Sequence, residues 1–310
     1  MIRLERVSRL FGEVRAVREV SLEVEVGSTM CLVGSSGSGK TTLLRLIPRL
    51  IEPSSGTIFV DGHDTRAIDP VELRRRFGFV IQGGALFPHL SVSENIGIVP
   101  RLLGWTVARR RARAEELLDW MGLPPDEYAG RSPSELSGGQ QQRVGIARAL
   151  AADPPFLLMD EPFGSLDPVI RAELQELQLR LKRELGKTTI LVTHDLAEAM
   201  LLGDMIGVLD HGELVQLSSP EQLLERSAAP AARSLIEAAP TISAGPMTVR
   251  DVMTAPAGER PLGEALMEDS SLATAIERLF ETEETRLRVM NATGEWVGVI
   301  SKRSVVEALR

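Results

Sequence analysis

Residues 29–50, "TMCLVGSSGSGKTTLLRLIPRL", constrain the fold of this chain more than any other stretch. The apolar run "TMCLV" reads as a buried strand, a glycine-rich loop follows it, and helical spacing starts at Lys40. Small residues at Gly34, Ser35, Ser36, Gly37, Ser38 and Gly39 let backbone N–H groups wrap phosphates. Lys40 then reaches the β and γ oxygens, Thr41 offers its hydroxyl to Mg²⁺, and Thr42 closes the motif. The alternative is a glycine-rich turn that binds nothing. A strand before it and a helix after it count against that alternative.

The same alternation continues along the chain. "VSLEVEVG" alternates like a half-buried strand, while "PFLLMDEP" and "TTILVTHD" are continuously apolar before their acidic or histidine ends. Between the last two lies the amphipathic "RAELQELQLRLKRELG", which stops at Gly186. Strands alternating with helices imply an α/β fold with a parallel sheet. From about Gly83 to Leu150 helical spacing dominates, including "RARAEELLDWMGL", which ends at Gly122 before Pro124 and Pro125, and this segment reads as a helical insertion.

Residues 227–246, "SAAPAARSLIEAAPTISAGP", are alanine-rich and broken by proline, as a linker would be. The sequence therefore predicts a first domain over 1–226, with its helical subdomain at about 83–150, and a small α+β domain over 247–310. The latter reads as βαββα: its helix is "LATAIERLFE", its strands are "LRVM" and "EWVGVIS", and "RSVVEALR" closes it. It carries no nucleophile or metal cluster, so a regulatory or docking role is expected.

Composition removes several function classes. Across 310 residues the net charge is -8 and the two signs are mixed, so there is no basic stripe for nucleic acid. The lone Cys31 sits in an apolar run and allows no disulfide framework, which points to the cytosol. No run of about 18 uncharged apolar residues occurs and the N-terminus lacks an apolar leader core, so the expectation is a chain that neither spans a membrane nor is exported.

Four further places carry chemistry. Asp160 ends the run "FLLMD" at the carboxyl end of a strand, where ligands of such sheets bind, and could hold Mg²⁺ through a water. Glu161 projects toward the γ-phosphate and can polarise an attacking water; a solvated acidic strand end is its alternative. His194 ends "TTILVTH" and reaches the same pocket, although a single histidine is more often structural. Gln82, after "FGFVI", touches water or metal, or merely caps a loop. A second helix start suited to an anion, Ser137, Gly138, Gly139 and Gln140, opens "GGQQQRVGIARAL" about a hundred residues past the first.

Taken in order, "GSSGSGKTT", "IQ", "ELSGGQ", "FLLMDEP", "GSLD" and "VTHD" resemble the ATP-binding cassette of ABC transporters, over about Met1–Gln222. The resemblance implies a P-loop NTPase sheet with a helical subdomain, and ATP and Mg²⁺ as cofactors. It places Phe11 on adenine, a contact worth about 1 to 3 kcal/mol by analogy with base stacking. Glu161, His194 and Gln82 become the catalytic residues, with Thr41, Gln82 and Asp160 at Mg²⁺, and Asp167 in the loop that couples two sites. Ser137, Gly138, Gly139 and Gln140 close over the ATP of a second copy packed head to tail, which answers why one chain has two anion-binding helix starts. ATP then closes the dimer and hydrolysis opens it.

A single cassette without a spanning segment resembles importer ATPases, which work with separate permease subunits and, indirectly, an extracytoplasmic solute-binding protein, on the cytoplasmic face of the membrane. "VRDVMT" and "LRVMNATGEWVGVIS" resemble one CBS motif, and with "GALFPHLSVSENI" they are similar to osmoprotectant importers for glycine betaine, proline, choline or carnitine. An importer for another polar solute, such as an amino acid, is the alternative. A soluble non-transport ABC ATPase would have two cassettes or a long coiled coil; neither is present. Two departures modify these expectations. Gly83 and Gly84 predict a loose loop after Gln82, and Ser304 stands where nucleotide-binding CBS motifs carry the ribose aspartate, so adenosine binding by the tail is not expected.

Overall fold

The computed structural model describes residues 1–164, 166–225, 230–232, 248–255, 265–270, 274–275, 278–279, 286–301 and 304–305. The chain divides into two compact units, Met1–His194 with Leu209–Leu214, and Asp195–Val208 with Val215–Arg310.

The first unit begins with antiparallel strands β1 (Ile2–Phe11) and β2 (Val14–Val24). In β2 the alternation is the predicted one: Val20, Leu22 and Val24 are buried, Ser21 and Glu23 exposed. Strands β4 (Ser55–Val60) and β5 (His63–Asp64) extend this sheet in the order β2-β1-β4-β5. The parallel sheet of the unit runs β3-β8-β7-β6, from β3 (Thr29–Val33), β8 (Thr188–Thr193), β7 (Phe156–Asp160) and β6 (Phe77–Val80). Every residue of β3, β7 and β8 is buried, which is why their sequences are continuous rather than alternating. Register sets Val33 beside Thr193 and Asp160 beside Val192. The glycine-rich loop, Asp160–Glu161 and His194 therefore leave the sheet at one edge.

Helix α1 (Lys40–Leu46) is shorter than the helical spacing through Leu50 suggests. Pro48 brings no N–H to the ladder and Arg49 turns left-handed at φ +52°. After α2 (Pro70–Arg75) the helical insertion comprises α3 (Val92–Ile96), α4 (Ile98–Leu102), α5 (Val107–Trp120), α6 (Pro125–Tyr128) and α7 (Gly138–Leu150). Helix α8 (Pro168–Leu185) follows. Both α5 and α8 end where glycine was expected to stop them, at Gly122 and Gly186, which take φ +70° and +55°.

The second unit contains α9 (Leu196–Leu202), most of the hairpin β9 (Met205–Asp210) and β10 (Glu213–Ser218), and α10 (Pro220–Glu225). Except for Pro230–Ala232, the linker segment 227–246 lies outside the described residues. Beyond it come α11 (Val249–Val252), β11 (Ala265–Met267), helical residues at 274–275 and 278–279, β12 (Arg286–Met290), β13 (Trp296–Ser301) and helical residues at 304–305. The order from β11 onward is βαββα, with β11 parallel and β13 antiparallel to the central β12. Val249, Leu266, Leu287, Val289 and Ile300 share one apolar core. Among the described residues no helix is long and apolar enough to cross a membrane.

Candidate active site

The loop from Gly34 to Gly39 joins β3 to α1, and its last glycine cannot be replaced without strain. Gly39 has φ +101°, and a Cβ there would lie 2.3 Å from the Ala16 carbonyl oxygen. Lys40 is buried, and its Nζ donates to the carbonyls of Gly34 and Ser35 at 2.8 Å each, with Ser38 Oγ at 3.4 Å. Burial lowers its ammonium below the ordinary lysine value, while Glu161 and then Asp160 push it back up. A desolvated cation held by neutral carbonyls and a hydroxyl can exchange them for phosphate oxygens.

Next to it, Thr41 Oγ1 donates to Asp160 Oδ1 at 2.8 Å, and Arg45 approaches the other carboxylate oxygen at 3.7 Å. Thr41, Asp160 and the Gln82 amide are hard oxygen donors, and among the described residues no group of three or more His, Cys, Asp or Glu gathers anywhere. One buried carboxylate and a hydroxyl beside a phosphate loop is the kind of partial shell that Mg²⁺ accepts, since it keeps waters and shares substrate phosphates. The residues fit that ion.

Glu161 takes φ +45°, a left-handed conformation unusual for a residue with a Cβ and common at functional sites. Its N–H still bonds the Val192 carbonyl at 2.9 Å, so the strained turn is anchored to β8. The turn breaks the alternation by which Asp160 and Glu161 would face opposite sides of a strand. His194 Nδ1 lies 3.2 Å from Glu161 Oε2. Gln82 approaches the same segment: a Cβ on Gly164 would be 3.1 Å from Gln82 Nε2 and 3.5 Å from Glu161 Oε2. Phe11 ends β1 with its ring 45% exposed and the Arg9 guanidinium 4.5 Å from its centroid.

The second helix start forms as a capping box. Ser137 Oγ accepts from Gln140 N at 3.3 Å and Gln140 Oε1 accepts from Ser137 N at 2.9 Å, while Gln140 Nε2 donates to Tyr128 Oη at 3.1 Å. Gln140 is thus committed to the cap, and Ser137, Gly138 and Gly139 form the tip. Gly139 has a second reason to be small: its Cβ would meet Ile170 Cγ2 at 2.3 Å. Asp167 places Ile170 there by capping α8, accepting from Val169 N and Ile170 N at 3.1 Å each.

The loop after Gln82 departs from its expected looseness. Gly84 is packed so closely on α7 that a Cβ would lie 2.6 Å from the Gln141 carbonyl oxygen, and Arg148 donates to the Gly84 and Ala85 carbonyls at 2.8 Å each. Glycine here permits contact rather than freedom. Sequence reading passed over Arg148 and Arg45; the available signal for the former was a guanidinium on the otherwise apolar or small face of "GIARAL".

The ABC transporter family profile matches residues 17–164. A glycine betaine/carnitine/choline transport ATP-binding protein of Bacillus subtilis is 51% identical over 229 residues, 74% of this chain, which spans 60% of that relative's length. A glycine betaine uptake system ATP-binding protein of Escherichia coli is 44% identical over 301 residues, covering 97% of each chain. Among solved structures, a dimeric ATP-binding cassette in a post-hydrolysis state bound to ADP and Pi superposes with a TM-score of 0.64 at 37% identity, over 71% of this chain and 99% of that one.

Proposed function

This chain belongs to the ABC transporter family, and from that premise we propose that it is the ATP-hydrolysing subunit of an importer for a quaternary amine or related osmoprotectant. The observation that carries the ATPase reading is the convergence at one sheet edge of Lys40, the Thr41–Asp160 hydrogen bond and the Glu161–His194 contact. The names of the relatives carry the choice of solute.

In this reading the loop amides and Lys40 hold the triphosphate, with Phe11 against the adenine. Thr41, Asp160 and Gln82 would hold Mg²⁺, which would supply charge neutralisation at the phosphates. Glu161 accepts the proton of the attacking water, and His194, at 3.2 Å, orients that carboxylate and senses the γ-phosphate. Ser137, Gly138 and Gly139 cover the nucleotide bound by a second copy, and the loop with Asp167 couples the two sites. The dimeric arrangement of the matched cassette supports this pairing.

Permease subunits complete the assembly on the cytoplasmic face, with a solute-binding protein outside. A groove of about 220 Å³ lined by Leu90, Ile98 and Val107, with Arg101, Arg110 and Arg111 against the single Glu94, suits a short amphipathic segment of such a permease with net negative charge. The tail serves regulation. Ser304 Oγ accepts from Ser301 N at 2.9 Å and donates to Ser301 O at 3.0 Å, so its hydroxyl is committed within its own turn and not presented to a ribose. The test is uptake of labelled glycine betaine into vesicles holding this chain with its permease. ATP-dependent uptake blocked by excess carnitine, choline or proline supports the proposal; no ATP-dependent uptake of glycine betaine, with uptake of another polar solute instead, contradicts it.

A further inference from the structure

We infer that Arg148 is a positioning residue that makes the loop of Gln82 and helix α7 a single moving part. Its side chain is buried, and its planar fork donates to two successive carbonyls, Gly84 O and Ala85 O, at 2.8 Å each. Both acceptors belong to left-handed residues, with φ +74° at Gly84, which glycine adopts freely, and +40° at Ala85, which a residue with a Cβ does not favour. Gly84 also lies on α7 at two further points: its Cβ position is 2.6 Å from Gln141 O, and a Cβ on Gly145 would be 3.0 Å from Gly84 Cα. Gln141, Gly145 and Arg148 stand at i, i+4 and i+7, one face of the helix, and the loop is laid along it.

The two ends of this unit face different places. At the loop end, Gln82 lies against Gly164 and, through it, beside Glu161. At the helix end, Gln141 directly follows the capping box formed by Ser137 and Gln140. A rearrangement at Glu161 that moves Gln82 is therefore delivered to the start of α7, about three turns from Arg148. Burial holds its guanidinium below its ordinary range, and the hydrogen bonds that compensate go to the two loop carbonyls. A lysine ammonium is a single flexible point donor and lacks the rigid planar fork that fixes both carbonyls at once.

This inference rests on the reading of Gln82 given above, and its test does not require turnover. Amide hydrogen exchange is measured on the full chain for wild type, Arg148→Lys, Gly84→Ala and the double variant. Gly84→Ala leaves the guanidinium in place and forces the loop off α7, so it decides the matter if Arg148→Lys does not fold. The expected result is faster exchange, by about tenfold, the loss of one charge-assisted hydrogen bond, in residues 82–90 and 137–142 together, with the double variant no faster than the singles. Faster exchange confined to 82–90, a uniform rise through α5 and α8, or additive singles would overturn it. Where wild type hydrolyses ATP, kcat falls in both variants with KM nearly unchanged, and an unchanged kcat would also overturn it. Absence of hydrolysis by wild type refutes the proposed function alone and leaves the exchange result to decide the inference.

Discussion

Gly139→Ala tests whether the second helix start is held by α8 as well as shaped for an anion. The added Cβ would sit 2.3 Å from Ile170 Cγ2, about 1.2 Å inside the shortest ordinary carbon contact of about 3.5 Å, whereas Ile170 Cβ and Cγ1 remain at 3.6 and 3.8 Å. Overpacking of this kind costs about 1 to 3 kcal/mol, and the gain from replacing a helical glycine offsets at most about 1 kcal/mol. The net expectation is a loss of between about 0 and 3 kcal/mol in urea unfolding. Because a single methyl makes the clash, Ile170→Ala should remove it, so Gly139→Ala becomes neutral or stabilising in that background. ATP-driven dimerisation, followed by light scattering in a Glu161→Gln background, should weaken with Gly139→Ala and recover with the pair. Equal costs in both backgrounds, within about 0.5 kcal/mol, would show that Gly139 does not press on Ile170 and refute the reasoning.

Gln142 is 1% exposed and both its amide atoms lack a partner among the described residues, so Gln142→Leu should raise stability by about 1 kcal/mol in denaturant titration; a loss would mean that a bound water satisfies the amide. Lys40 titrates below its unfolded value of 10.5, so its protonated form disfavours the fold, and stability from this group rises as pH climbs from the folded value toward 10.5. Phosphate binding opposes that shift, so calorimetry in buffers of different ionisation enthalpy should record proton uptake on ATP binding just below pH 10.5, and less as the pH is lowered through the folded value. No uptake at the higher pH would separate Lys40 from the nucleotide.

What was legible in the sequence is what local pattern determines. The buried runs at β3, β7 and β8 and the loop before Lys40 specify a parallel sheet and its functional edge, because continuous apolar strands must be covered on both faces. The helix start at Ser137 also follows from local chemistry, whereas Asp167, read only as a residue of the coupling loop, proves to cap α8. Contacts between distant segments were not legible. Gly84 suggests freedom until Gln141 and Gly145 are seen beneath it, and Arg148 looks like an ordinary helical arginine until its fork is seen on Gly84 and Ala85. Gly139 reads as space for a phosphate, and nothing within "LSGGQ" reveals Ile170. The shortened α1 was a local feature misjudged, since Pro48 was visible and its missing N–H is sufficient to end the ladder.

The central claim, that Glu161 is the base of an ATP hydrolysis site completed by a second copy, is tested most directly by MgATP turnover of the full chain with and without Glu161→Gln. The account predicts that the amide, equal in shape but unable to take the water's proton, lowers the rate by about 10² to 10⁴ while ATP binding persists. Turnover close to wild type in Glu161→Gln would contradict it.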